Sequence, residues 1–139
     1  MANEAILRDT NVKTSKRYTC ATSTAIPKGT YLKLSADNTA AACTATNDIF
    51  VGFAHADVNN STDTAFNTET NVTADKGAIY DLVASGAIAL GQYVKVATPG
   101  NYVMGVATAA DMYASMARII GKALEAASDA ETINVEVFA

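Results

Sequence analysis

The chain has no tryptophan, one histidine, two cysteines and two prolines in 139 residues, and aromatics make up only 7%. Half of the residues are apolar. Many of these are alanine, so the core must be built from small aliphatics. The lone His55 cannot form a metal cluster by itself, and no serine or cysteine near it sits in a nucleophile motif. It is expected to be structural or solvent-facing. Cys20 and Cys43 have no CxxC partner and read as small core residues, with a single disulfide as the alternative. No apolar run approaches the roughly 18 residues of a membrane span, so no membrane partner is expected. MANEAILRD lacks the basic start and apolar centre of a signal peptide, which predicts use without Sec-type export. On that expectation the sequons at Asn60 and Asn71 mark only polar loops.

The acidic residues are as uninformative for catalysis. Asp37, Asp48, Asp57, Asp63, Asp75 and Asp81 stand singly, without the Asp-x-Asp spacing of a calcium loop. The eight glycines fall at turn and bulge spacings, and none forms a phosphate cradle. No enzyme activity, cofactor or metal is expected.

What is present begins with charge. Up to Lys33 there are six basic residues against Glu4 and Asp9, a net of +4, and the remainder has four basic against twelve acidic, a net of −8. A basic arm on an acidic body suits an acidic surface on a partner or a neighbouring copy, although a solvated basic segment needs no partner. Nucleic acid fits poorly. The arm holds one aromatic, Tyr18, and the body would repel phosphate.

One pattern occurs twice. Ala25 to Leu34 reads AIPKGTYLKL and Ala87 to Val96 reads AIALGQYVKV. A second echo follows each, with Phe50-Val51-Gly52-Phe53-Ala54 resembling Ile119-Ile120-Gly121-Lys122-Ala123. Each decapeptide is a glycine turn that launches a strand. Leu32 and Leu34 should share one face and Tyr31 and Lys33 the other, with Val94 and Val96 set against Tyr93 and Lys95 in the same way. Two copies are too few for a solenoid. They predict two similar units, 25–54 and 87–123, inside a single β domain over 22–139, preceded by an arm and edge segment over 1–21.

The rest of the chain fits that frame. Ser35 to Asn47 is expected as a loop and Asp57 to Thr70 as a long polar loop anchored by Phe66. Asp75-Lys76-Gly77 should make a hairpin-like turn. Tyr80 and Leu82 oppose Ile79, Asp81 and Val83, and Ile133, Val135 and Val137 alternate with polar residues in the cleanest strand. Asp111 to Arg118 is the one helical stretch, with Met112 and Met116 at i, i+4, a spacing that fits a core or an interface.

Taken in order, MANEAILRD, AIPKGTYLKLS, FVGFAHADV, GAIYDLVASGAIALGQYVKV and IIGKALEAASDAETINVEVF resemble the small decoration, or capsid cement, proteins of tailed bacteriophages and related viruses. The resemblance spans nearly the whole chain. It implies a compact β-sandwich or β-barrel-like domain with one short helix and an extended N-terminal arm. It also implies binding to the major capsid protein on the outer surface of an icosahedral head, after synthesis in the host cytoplasm, and a homo-oligomer, with a trimer following from the resemblance while the residues themselves fit monomers or dimers equally well. The residues then expected at the capsid are Ile6, Leu7, Arg8, Lys13, Lys16 and Arg17, and those between copies Met112, Tyr113 and Met116. The alternative is a tail, fibre or carbohydrate-binding module of a virion, with its site at the Asp57 to Thr70 loop.

Overall fold

The computed structural model describes residues 3–9, 14–20, 25–46, 48–59 and 71–138. Its first half contains β1 (Ile6–Asp9), β2 (Thr14–Cys20), β3 (Ala25–Ile26), β4 (Tyr31–Ala36), β5 (Thr39–Ala42), β6 (Phe50–Ala54), β7 (Val58–Asn59) and β8 (Asn71–Lys76). Its second half contains β9 (Ile79–Val83), β10 (Tyr93–Ala97), β11 (Tyr102–Gly105), α1 (Ala109–Ser115), a 3-10 turn at Met116–Arg118, β12 (Ile119–Ala123) and β13 (Thr132–Val137). The fold is mainly β with one short helix.

The two halves of the chain repeat one strand order. β2, β5, β4, β6 and β8 close in that order into barrel 1. In the second half β9, β13, β12, β10 and β11 run in the matching order as a curled sheet, barrel 2, with β1 added beside β9 and one bridge instead of a strand ladder across the gap. The parallel pairing that closes barrel 1, Cys20 beside Ala40, recurs as a single bridge between Ala84 and Val103. The antiparallel pair β3–β7, with Ile26 opposite Val58, recurs as the bridge Ile88–Ala127.

Backbone bonds repeat with the strands. Gly29 N–H donates to Ala54 O at 2.8 Å and Gly91 N–H to Ala123 O at 2.9 Å. Cys43 N–H donates to Tyr31 O, and Val106 N–H to Tyr93 O, both at 2.8 Å. Leu32 faces Gly52 and Val94 faces Gly121, and in each pair the register slips at the next residue. Those two glycines are there because strand backbone crowds them. A Cβ on Gly52 would lie 2.8 Å from Asp75 O, and one on Gly121 would strike Glu136 O. The slip is a bulge, which lets Val51 and Ile120 point inward while Phe50 and Ile119 point out.

The interiors correspond residue for residue. Barrel 1 encloses Ile26, Leu32, Ala40, Val51, Val58 and Val72 among others. Their counterparts Ile88, Val94, Val103, Ile120, Ala127 and Ile133 lie in the other core cluster. Full burial of each such aliphatic stabilises the fold by roughly 1.5–3 kcal/mol.

The barrels meet through the outer face of β4 and β6. Tyr31, Phe50 and Phe53 belong to the barrel 2 cluster. Phe53 packs on Tyr80 with ring centroids 4.5 Å apart and on Tyr31 edge-on at 4.9 Å. The β10–β11 turn presses Gly100 against the Cys43 and Thr44 backbone, and Thr46 and Thr98 hydroxyls bond at 2.9 Å. Cys20 and Cys43 lie in different clusters and no disulfide joins them.

Six local expectations change. The stretch expected as a loop from Asp57 begins with β7, which pairs with β3, and Asn71 opens β8 instead of lying in a loop. The Ser35 to Asn47 stretch contains β5, whose Ala40 and Ala41 are small enough to bury against β4. Asp75-Lys76-Gly77 is not a hairpin: β8 pairs with β2 and β6 while β9 pairs with β1 and β13, so the segment crosses between barrels. Tyr31 and Leu32 are both buried, because the two sides of β4 face two different cores. Lys95 is buried as well, since α1 folds over its side of β10.

The N-terminal arm is extended and docks along β9, with Ala5 and Leu7 packed against the barrel 2 cluster. Ala5 N–H donates to Gly29 O at 2.8 Å.

Candidate functional site

Three surface features carry polar or exposed apolar chemistry. The first is a cavity of about 220 Å³ at the seam between the barrels, lined by Leu7, Lys28, Phe53, His55, Asp75 and Tyr80 among others. Asp75 is nearly buried and organises its polar wall. Its Oδ2 lies 2.7 Å from His55 Nδ1, and its Oδ1 accepts from Ser15 Oγ at 2.6 Å. The serine and the imidazole therefore engage opposite oxygens of one carboxylate. A nucleophile relay needs the base against the hydroxyl, and this arrangement does not place it there. What it does is tie β2 and the end of β6 to β8. Burial pushes the Tyr80 phenol above its usual range, and the Asp75 charge adds to the shift. No group of three or more His, Cys, Asp or Glu residues among the described residues could hold a metal ion.

The second feature is the exposed run Thr14–Arg17 of β2. Lys16 Nζ donates to Asn38 Oδ1 at 3.0 Å and sits 4.9 Å from the Tyr18 ring centre, which holds the ammonium at the rim of barrel 1 by hydrogen bonding and cation–π attraction. Arg17 is exposed on the opposite side of the strand. Leu34, on β4, is exposed too.

The third feature is an apolar groove of about 350 Å³ lined by Tyr93, Met112, Met116, Ile119 and Phe138. Tyr93 and Phe138 stack edge-to-face at 6.1 Å. The helix that completes the groove is short, and its placement rests on three polar contacts. Thr108 caps it, accepting from Asp111 N–H at 3.1 Å. Lys95 Nζ reaches up from β10 to Ser115 Oγ at 2.9 Å and Asp111 Oδ1 at 3.1 Å. The hydrogen bond from Lys95 holds the Asp111 carboxyl below its usual range, with the Ser115 hydroxyl adding to it against a smaller opposing effect of desolvation. Barrel 1 has a counterpart: Lys33 Nζ lies 3.5 Å from Asp48.

The residues expected at a capsid do not form one element. Ile6 is exposed on β1 beside barrel 2, Leu7 turns inward to the seam cavity, and Lys16 and Arg17 stand on barrel 1. The backbone of Arg8 lies in β1; its side chain, Lys13 and Phe66 are outside the described residues. Of the residues expected between copies, Met112 and Met116 share the groove while Tyr113 projects from the exposed side of α1. Nothing in the local pattern adds Tyr93 and Phe138 to them. Only the β10–β12–β13 pairing brings those rings together, although the Tyr31–Tyr93 correspondence pointed at the right face.

No family model matches this chain, and no curated protein sequence matches it. Among solved structures the chain is similar to the head fiber gp8.5 N base in bacteriophage phi29, with a TM-score of 0.53 and 14% identity. The match covers 91% of this chain and 94% of that chain, so the shared fold includes both barrels.

Proposed function

We propose that this chain is a structural protein of a bacteriophage virion that attaches to the outside of the head shell and braces neighbouring copies of the major capsid protein. The observation that carries the reading is the fold shared with a phage head fiber base along nearly the full length of both chains. The ordered sequence resemblance to capsid cement proteins agrees with it. In this reading the protein is not an enzyme, needs no cofactor and contacts neither nucleic acid nor membrane.

The physics of the fold suits the role. Two packed barrels are pre-organised, so binding orders few side chains and loses little entropy. Closure of barrel 1 removes its strand edges, which keeps that half from pairing edge to edge with neighbouring copies on one shell. A weak contact repeated over a shell gains by avidity. Ile6, exposed on β1 and held in place by its inward neighbour Leu7, is the proposed apolar contact to the capsid.

The fold match also favours a second reading, in which the chain is the base of a fibre on the head. One experiment separates the two. Purified protein is sedimented with empty expanded shells, and the shells are then heated. A cement protein co-sediments and raises the temperature of shell disassembly. A fibre base co-sediments without raising it, and absence from the pellet would overturn both.

A further inference from the structure

The internal repeat contains its own docking rule. Inside the chain, the outer face of barrel 1 at Tyr31, Phe50 and Phe53 plugs the rim of barrel 2 at Tyr80. The equivalent plug on barrel 2 is the face at Tyr93 and Ile119, extended by Met112, Met116 and Phe138. The equivalent socket on barrel 1 is the rim at Lys16 and Leu34, because Lys16 occupies in β2 the place of Tyr80 in β9, and Leu34 in β4 that of Val96 in β10. The burial is complementary. Tyr31 is 0% exposed and its counterpart Tyr93 41%, while Val96 is 1% exposed and its counterpart Leu34 39%. One plug and one socket are thus used inside the chain, and one of each is left over.

We propose that the leftover plug of barrel 2 docks into the leftover socket of barrel 1 on a second copy of this chain, head to tail. The plug carries Lys122 in the place of Phe53, across from Glu136 on β13, and the two segments as a whole differ in charge. Residues 79–138 carry six acidic against three basic residues, whereas 14–36 carry Lys16, Arg17, Lys28 and Lys33 and no acid. Tyr93 and Phe138 offer aromatic faces to the Lys16 ammonium, and Met116 on its flexible stem can fill against Leu34. Such a junction is heterologous, and where its rotation closes the copies form a ring instead of an open filament. The inference rests on the repeat and stands apart from capsid binding. A protein that assembles in solution but ignores shells would overturn only the latter.

The test uses two variants on exposed side chains, Met116→Asp in the plug and Leu34→Asp in the socket, with circular dichroism to verify that both fold. Light scattering after gel filtration should show a closed oligomer for the wild type and a monomer for each variant. Mixed in equal amounts, the variants retain one intact plug and one intact socket between them, and a one-to-one dimer is expected. Lys16→Glu should weaken assembly in the same direction as Leu34→Asp. A monomeric wild type at its highest soluble concentration, an unchanged oligomer in Leu34→Asp, or a mixture that stays monomeric would each overturn the proposal.

Discussion

Lys95 carries a charge under a helix of seven residues, and its contacts with Asp111 and Ser115 are what make that position tolerable. Replacing Asp111 with Asn leaves the ammonium without its counter-charge. The melting temperature should fall, and adding Lys95→Met should recover much of the loss. The pH dependence has a definite sign. The Asp111 carboxyl is held below its ordinary value of 3.8, so its contribution is full above that value and fades as the pH drops through the lower folded-state value. The difference in melting temperature between wild type and Asp111→Asn should therefore close below about pH 4. Asp48 behaves with the same sign: burial works against its ionised form, but amides of Thr44 and Ala45 and the Lys33 ammonium outweigh burial. Gly100 gives a further residue-scale test. It sits at φ +110° against the Cys43 carbonyl, so Gly100→Ala should cost at least about 2 kcal/mol in urea unfolding by strain and by prising open the barrel seam. Ile6→Asp should fold and melt like the wild type yet fail to co-sediment with shells.

At the scale of elements, the seam is an aromatic cluster in a protein otherwise short of aromatics. Phe53→Ala should cost about 3–5 kcal/mol, measured by urea denaturation, because neither barrel can collapse into the space. How much of this was legible follows from the same elements. β13 and β9 were readable because their alternation is strict and one face is buried. The repeated decapeptides were readable as turn-strand launches. β5 was not, since a run of threonine and alanine carries no period that distinguishes strand from loop. Alternation alone puts Lys95 on the side of β10 opposite the barrel core, and only the helix crossing over β10 buries it. The crossing at Gly77 looked like a hairpin because turn chemistry is local, whereas the choice of barrel for each flanking strand is set by distant partners.

At the scale of the whole molecule, the β class and the presence of two related units came from the sequence, but their relation did not. Only the pairing of strands far apart shows that the units extend to five strands each, with β2 answering to β9 and β8 to β13. The proposed role adds a test at this scale. If acidic capsid surface attracts the basic first part of the chain, co-sedimentation should weaken as ionic strength rises past about 0.15 M, where the screening length is near 8 Å. Binding that ignores salt would leave the apolar contact at Ile6 to carry the attachment.

The strand β1 has a consequence for the order of assembly during synthesis. It precedes barrel 1 in the chain, yet its pairing partner Asp81 lies 75 residues beyond Ile6. All the strands of barrel 1 leave the ribosome before β9 does, so that barrel can close while β1 has nothing to pair with. A strand made ahead of barrel 1 is then seated only after that barrel is complete. Its amides should exchange with solvent faster than those of β9 or β13, and a nascent chain that has emerged from the ribosome as far as Lys76 should already protect β4 and β6 but not β1.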